Sequence, residues 1–423
     1  MSRRLIMGLF RESTLAHNAA WMFLGQGLSI ALQCVYFMLL GRLLGSMEYG
    51  IYVGATALAA ILGQYSVLGS GWVFLQYVSP NHSQFSRYWG NILASTFGVG
   101  SILVIVLSIG GPHIAHSYSW LMLACVGVGD CICMQLVSAI GCVFQAFEKM
   151  RLTALVNILV NGFRVVLVGG LFNFYRHIDA FQWAVAALVV SLVAVCAAVV
   201  MVTWHYGKPT FSWKLWKRRT EEGFIFSLSS STDNVYSNFD KVLLGHYGMH
   251  MANGVYSMAY KAVCVAFMPA LSIQMAAVPR IFQRGNEGVK GTSRYVLRIM
   301  KSTVPVGLVM SALIWLAAPL CPLLVGKSFT QSISAMQWLC LLPFTRVLQF
   351  SAGDALTGAG LQRYRLGTQI VAAVLNLSMN LYLIPRHGWL GAAWASVATD
   401  GTLAVMNWAV LLTVRRREIK EAA

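Results

Sequence analysis

The sequence predicts an all-α, polytopic membrane protein of about 12 transmembrane helices in two six-helix bundles, which are related by a parallel pseudo-two-fold repeat. Three observations support this fold class. Hydrophobic residues make up 57% of the 423 residues and charged residues only 11%, which is too few charges to cover a water-soluble fold of this size. Lysine and arginine fall almost entirely on one side of the predicted spans, and motifs of the first half recur in the second half.

The spans are predicted from runs of about 20 apolar residues, the length that crosses a bilayer. Six runs form each predicted bundle. The seventh run is the least apolar, and a hydropathy window alone is a poor guide to it. The runs cover residues 18–40, 50–78, 90–110, 119–145, 153–173, 180–204, 224–246, 254–279, 299–318, 333–358, 367–384 and 389–412.

The orientation is predicted from the 31 lysines and arginines. With both termini placed in the cytoplasm, 23 of them lie in cytoplasmic segments or, for Lys301, at the cytoplasmic edge of a span, four lie in outer loops and four deeper within spans. Because positive residues concentrate on the cytoplasmic side of membrane proteins, this bias predicts an even number of spans with both termini inside. The same loops account for the net charge of +17, so we expect no nucleic-acid partner.

The two halves of the chain carry similar motifs in the same order. The segment 45–52 after the first span resembles the segment 245–256 after the seventh, and three further pairs follow. Six spans per half make this a parallel repeat, which predicts a cavity between two bundles and alternating access. The predicted divisions are an N-terminal bundle over 1–204, a cytoplasmic basic and aromatic linker over 205–223, a C-terminal bundle over 224–412 and a cytoplasmic basic tail over 413–423.

The predicted linker carries Trp213 and Trp216 among five basic residues. One interpretation is an amphipathic segment that lies on anionic lipid. The other is a binding surface for an anionic partner.

No catalytic pattern is present in the sequence. It contains no Walker A motif, no Gly-x-Ser-x-Gly elbow and no His-Glu-x-x-His pattern. No predicted outer loop exceeds about 15 residues, whereas membrane glycosyltransferases, ligases and polymerases usually need a larger one. We therefore expect a protein that is not an enzyme, without a cofactor and without a metal.

Charged side chains within the predicted spans are the candidate functional groups, because each costs about 2.5–3.5 kcal/mol to insert and those retained usually face a cavity or a partner. The bases suit a phosphate or diphosphate, and the mid-membrane acids suit proton transfer. The alternative is ion pairing: Asp240 with Lys261, and Asp130 or Asp354 with an arginine. The candidate diphosphate ligands are Lys241, Lys261, Arg164 and Arg346, and the candidate ion-coupling acids are Asp233, Asp240 and Asp400.

The seventh span is predicted to line a hydrated cavity. Helical spacing places Ser230, Asn234 and Asn238 on one stripe, and the first span carries Gln26 and Gln33. The alternative is a dry interface in which these groups hydrogen-bond between helices. The number of polar groups favours the cavity.

Two regions of the chain resemble the signatures of a known family. Residues 40–52 (LGRLLGSMEYGIY) and 65–69 (YSVLG) resemble the first-hairpin signature of bacterial polysaccharide flippases, and residues 238–256 are similar to their seventh-span signature. The resemblance covers residues 18–412. The family is the O-antigen (lipid-linked oligosaccharide) flippases of the multidrug/oligosaccharidyl-lipid/polysaccharide exporter superfamily.

The resemblance implies movement of an undecaprenyl-diphosphate-linked oligosaccharide to the outer leaflet of the bacterial cytoplasmic (inner) membrane for surface polysaccharide, including lipopolysaccharide. It implies an ion gradient as the drive and basic cavity residues as ligands of the diphosphate. The implied partners are the lipid-linked substrate, the bilayer, a polysaccharide polymerase and assembly proteins. The lipid II branch carries an arginine-rich first span, which this chain lacks. The alternative is a multidrug cation antiporter of the same superfamily, coupled to H⁺ or Na⁺.

Overall fold

The computed structural model describes residues 2–115, 117–175, 177–285 and 287–421, with side chains described except at 2–20, 22–23, 225, 229–233 and 419–421. These residues form helices and loops, with no strand in the described ranges. Nine helical segments of this part of the chain are long and apolar enough to cross a membrane. The predicted class, an all-helical multi-pass membrane protein, is thereby confirmed.

Residues up to Gly248 form one compact unit. A π-helical segment, Val128–Cys133, joins the helix that ends at Gly127 to the helix that begins at Met134, so that the helical backbone is continuous there. The helices are α1 (Ser2–Gly63), α2 (Ser70–Val78), α3 (Phe85–Ile114), α4 (Trp120–Gly127), α5 (Met134–Ala146), α6 (Met150–Phe174), α7 (Ala180–Tyr206) and α8 (Trp213–His246). Helix α1 packs against α6 and α8, and α2 packs against α5 and α8.

Residues from Met249 onward form the second compact unit. Helix α9 packs against α10 and α13, while α15 packs against α13 and α14. The bounds are α9 (His250–Gly285), α10 (Gly288–Ala317), α11 (Cys321–Val325), α12 (Ser332–Leu339), α13 (Leu342–Gly358), α14 (Gln362–His387) and α15 (Trp389–Glu421).

The nine apolar segments differ from the twelve predicted spans for three physical reasons. The first two spans run together in α1, which bends at Gly45 where φ is 71°. Helix α8, which holds the seventh span, is rich in polar residues, and α13, which holds the tenth, has only 17 residues. The count of twelve therefore stays a prediction.

The predicted second span is not one continuous helix. Helix α1 ends at Gly63 and α2 begins at Ser70. Between them Leu68 and Gly69 adopt left-handed backbone conformations, with φ of 48° and 60°, which stop an α-helix. The backbone therefore turns between the two helices.

The predicted linker and tail are largely helical. Helix α8 begins at Trp213, so only residues 207–212 separate it from α7, and α15 continues to Glu421. The compact units divide at Gly248, and the predicted division after residue 223 stays a prediction.

Local capping explains where several helices begin. The Ser119 hydroxyl accepts the Met122 backbone N–H at the start of α4. The carboxylate of Glu418 accepts the backbone N–H groups of Val289 and Lys290, at 3.0 and 3.2 Å, in the first turn of α10. These bonds satisfy donors that a helix start leaves free, and a carboxylate also suits the positive end of the helix dipole.

Candidate functional site

The second unit contains a buried arginine–aspartate pair. Nε of Arg346 on α13 lies 3.1 Å from Oδ2 of Asp400 on α15, with side chains 13% and 2% exposed. Nη2 of Arg346 donates to the Tyr260 hydroxyl of α9 at 2.5 Å. One guanidinium therefore ties three helices together. Two of the predicted functional residues, one assigned to the diphosphate and one to ion coupling, are bonded to each other.

Side chains of α9 enclose the same guanidinium. Nη1 of Arg346 lies 3.5 Å from Sγ of Cys264, and its guanidinium carbon lies 5.3 and 6.0 Å from the ring centroids of Tyr260 and Phe267. These three α9 residues follow helical spacing of four and three, so they share one face of α9. Sequence analysis did not single them out, although this stripe was the signal that could have identified them.

The first unit holds a second arginine, half-buried, near an aspartate and tyrosines. Nη2 of Arg164 on α6 lies 3.2 Å from Sδ of Met134, a weak acceptor. Its electrostatic neighbours are Tyr36, Tyr52 and Asp130. Each unit thus holds an arginine near an aspartate and at least one tyrosine, and the cluster in the first unit is only partly buried. Such a cluster can hold an anionic group once the arginine is released from its own carboxylate.

Lys241 is held by its own helix. Its Nζ lies 3.3 Å from Oδ1 of Asp240 and donates to the Ser237 carbonyl, and both charged side chains are buried. Asp240 Oδ1 also accepts the backbone N–H of Lys241 at 2.7 Å. An anion would therefore have to compete with Asp240 for this lysine.

The remaining predicted site residues belong to three helices, α1, α8 and α9. Lys261 lies half-buried on α9, and Asn234 and Asn238 lie half-buried on α8, where Asn238 Nδ2 donates to the Asn234 carbonyl at 2.9 Å. Gln26 and Gln33 are exposed on α1. The side chains of Ser230 and Asp233 lie outside the described residues. The roles assigned to all of these residues stay predictions.

Asp354 was considered above as a partner for an arginine within the spans, but its partner in the structure is a different arginine. Asp354 lies 3.4 Å from Nη1 of Arg365 at the start of α14. Arg346 takes Asp400 instead, because α13 packs closely against α15 and brings the two side chains together.

Residues 210–222 pack against α2 and α3 of the same unit. The Arg219 Nη1 donates to the Tyr77 hydroxyl at 2.7 Å and to Glu222, and its guanidinium carbon lies 3.8 Å from the Tyr77 ring centroid. Nε1 of Trp216 donates to Ser95 Oγ at 2.8 Å. These contacts anchor part of the segment predicted to lie on lipid or on a partner.

Replacing Arg219 with alanine is expected to loosen this segment by about 1–2 kcal/mol, because two partly buried charged hydrogen bonds and the ring contact are lost. Hydrogen exchange of residues 207–223 measures the effect, and faster exchange is expected. The control is Arg218→Ala, since Arg218 is exposed on the neighbouring helix position. Equal exchange in both variants would show that Arg219 does not anchor the segment.

Comparison with known families gives one match, to the family described as "polysaccharide biosynthesis protein", over residues 15–284. A search of curated protein sequences finds no match to the chain.

Several solved structures share the fold. The lipid II flippase MurJ in an inward closed conformation aligns with a TM-score of 0.71 at 11% identity, covering 93% of this chain and 87% of that one. An outward-facing multidrug resistance MATE family transporter of the MOP superfamily gives 0.60 at 16% identity, covering 97% of both chains. A MOP superfamily transporter from Pyrococcus furiosus gives 0.59 at 13% identity, covering 95% of this chain and 96% of that one. At these identities the likeness shows the fold alone.

Proposed function

Because the chain belongs to the polysaccharide biosynthesis protein family, we propose that it is a flippase for undecaprenyl-diphosphate-linked oligosaccharide repeat units. It moves them across the bacterial cytoplasmic (inner) membrane for surface polysaccharide, including O-antigen, and performs no catalysis. The family match is the observation that carries this proposal. The fold shared with transporters, among them a lipid II flippase, supports it.

The proposal includes an architecture of twelve spans in two six-helix bundles, with both termini in the cytoplasm. The distribution of 23 bases on one side against four on the other supports this orientation. Helices α8 and α13 supply the two spans that apolar length alone does not identify. Rocking of one bundle against the other provides alternating access.

Basic residues bind the diphosphate in this proposal, namely Arg164, Lys241, Lys261 and Arg346. The buried pair offers a physical link to an ion gradient, since the diphosphate and Asp400 compete for the guanidinium of Arg346. Binding of the diphosphate and a change of charge on Asp400 are thus coupled through one side chain. Asp240 can act on Lys241 in the same way.

Lys261→Ala is expected to abolish export of the lipid-linked oligosaccharide at normal protein level, because the change removes a cation that the diphosphate needs. In complemented cells, the amount of surface polysaccharide measures export, and the amount of this protein in the membrane measures its level. The control is Lys327→Ala, which removes the same charge from an exposed loop position. Unchanged export by Lys261→Ala would exclude this lysine from the diphosphate site.

Depletion of the protein from cells tests the function itself. Accumulation of lipid-linked oligosaccharide on the cytoplasmic leaflet, with loss of surface polysaccharide, is the expected result. Normal surface polysaccharide with raised sensitivity to cationic drugs would contradict it and indicate multidrug export.

A further inference from the structure

A polar cleft lies within the first unit, where α2, α5 and α8 approach one another. Together with the solvent at its open side, it encloses about 420 Å³ that no protein atom fills. Amide and hydroxyl groups face it from α5, from α8 and from the turn before α2, and the charged residues assigned to the diphosphate are not among its lining. The polar lining residues are Gln64, Gln135, Ser138 and Ser227.

The hydroxyl of Ser227 is an unused hydrogen-bonding group in this lining. Its side chain is 3% exposed, and its Oγ has no hydrogen-bond partner among the described residues. Leaving such a group unpaired destabilises the protein. A ligand with hydroxyl groups entering the cleft would recover that free energy, because a hydroxyl both donates and accepts.

The amide of Gln135 is positioned by tight packing. A Cβ atom at Gly63 would lie 3.3 Å from Nε2 of Gln135 and 3.3 Å from the Asp130 carbonyl oxygen. The close approach of α1 at Gly63 leaves the amide little room on that side. The cleft therefore presents a donor and acceptor in a restricted position.

Trp72 provides an aromatic wall. It lines the cleft and is 53% exposed. It stands in the first turn of α2, and the left-handed turn at Gly69 sets where that helix begins. The face of an indole ring is apolar and carries partial negative charge. The C–H face of a sugar ring is apolar with partial positive charge, so the two surfaces are complementary.

We propose that this cleft is a carbohydrate subsite, in which a sugar of the transported repeat unit stacks on Trp72 and hydrogen-bonds Gln64, Gln135 and Ser227. The inference rests on the proposed flippase function and adds a site for the sugar that is separate from the basic residues for the diphosphate. The combination of an aromatic wall, neutral amides and hydroxyls fits an uncharged polyol better than a cation or a phosphate.

The test uses the full-length protein in lipid nanodiscs and a lipid-free oligosaccharide, released by mild acid from the lipid-linked repeat unit of the same cells. Saturation-transfer NMR measures binding to the sugar protons. Trp72→Ala is expected to weaken binding by about fivefold to tenfold, and Trp72→Phe to retain most of it. Ser227→Ala is a second variant that weakens binding. The matched control is Trp204→Ala, which removes a tryptophan that is 84% exposed at the end of α7 and should leave binding unchanged.

Equal binding by the wild type, Trp72→Ala and Ser227→Ala would overturn the subsite, as would no binding by a wild type that transports the lipid-linked substrate. Displacement of bound oligosaccharide by phospholipid acyl chains at Trp72 would overturn it too, since the cleft would then be a lipid site. Sugar binding that depends on Trp72 in a protein that moves no lipid-linked oligosaccharide would leave the subsite standing and reject the flippase function. The two failures are therefore distinguishable.

Discussion

Replacing Arg346 with alanine is expected to lower the free energy of unfolding by about 3–5 kcal/mol, because removal of one partner leaves a buried charge without its counter-ion. Asp400 is 1% exposed, and Arg346 is its ion-pair partner at 3.1 Å. The variant also loses the bond from Arg346 to Tyr260, so the contacts that join α13 to α9 and α15 weaken together. Thermal unfolding in detergent, followed by tryptophan fluorescence, measures the change.

A double variant separates stability from transport. Arg346→Met with Asp400→Leu is expected to recover most of the lost stability, because an apolar pair of similar volume can replace a buried ion pair. Export should be absent, since neither the proposed cation for the diphosphate nor the carboxylate proposed for ion coupling remains. The control is Arg363→Ala at an exposed position of α14. Full export by the stable double variant would show that the pair is structural only.

Gly223→Ala is expected to destabilise the protein by about 1–3 kcal/mol and to reduce export, because the new methyl group meets backbone that cannot give way. A Cβ atom at Gly223 would lie 2.0 Å from the carbonyl oxygen of Leu68. The reciprocal approach is equally close, since a Cβ at Gly69 would lie 2.0 Å from the Gly223 carbonyl oxygen, and Gly69 has φ of 60°. Helix α8 thus rests directly, at Gly223, on the turn between α1 and α2.

Gly162→Ala is the matched control for this contact. Gly162 lies inside α6, and nothing lies within 4 Å of the position of its Cβ. This change is expected to leave export intact and to raise stability by about 0.5–1 kcal/mol, because alanine favours a helix interior over glycine. Similar unfolding temperatures for the two variants would show that the backbone near Gly223 can move to accommodate a methyl group, and that this contact does not fix the position of α8.

The helical class could be predicted from composition and apolar runs, because lipid leaves a spanning chain few alternatives to the α-helix. The bend at Gly45 falls in the predicted gap between the first two spans. The turn at Leu68 and Gly69 could not be predicted, because it depends on two backbone conformations inside an apolar run that continues across it. The length of α13 and the polarity of α8 separate the nine apolar segments from the predicted twelve.

The charged residues within the spans could be identified from the sequence, but not their partners. From the sequence, Asp130 and Asp354 were the candidate partners of Arg346. In the structure Arg346 pairs with Asp400, because α13 packs against α15. Asp240 had Lys261 as its considered partner, and it lies 3.3 Å from Nζ of Lys241, although adjacent side chains of a helix point in different directions. Trp72 and Gln135 were missed because each is a common residue in its own span. Only the packing of α2 on α5 places them at one cleft.

Reconstitution of the purified protein into phospholipid vesicles tests the central claim most directly. The vesicles carry fluorescent undecaprenyl-diphosphate-linked oligosaccharide in both leaflets, and a glycosidase added outside digests only the outer-leaflet sugar. With an ion gradient applied, vesicles containing the protein should expose the inner-leaflet sugar to the enzyme, while the Arg346→Met, Asp400→Leu protein should not. If the glycosidase digests only the outer-leaflet oligosaccharide in vesicles with the wild-type protein, as it does with the double variant and without protein, the result would contradict the flippase function.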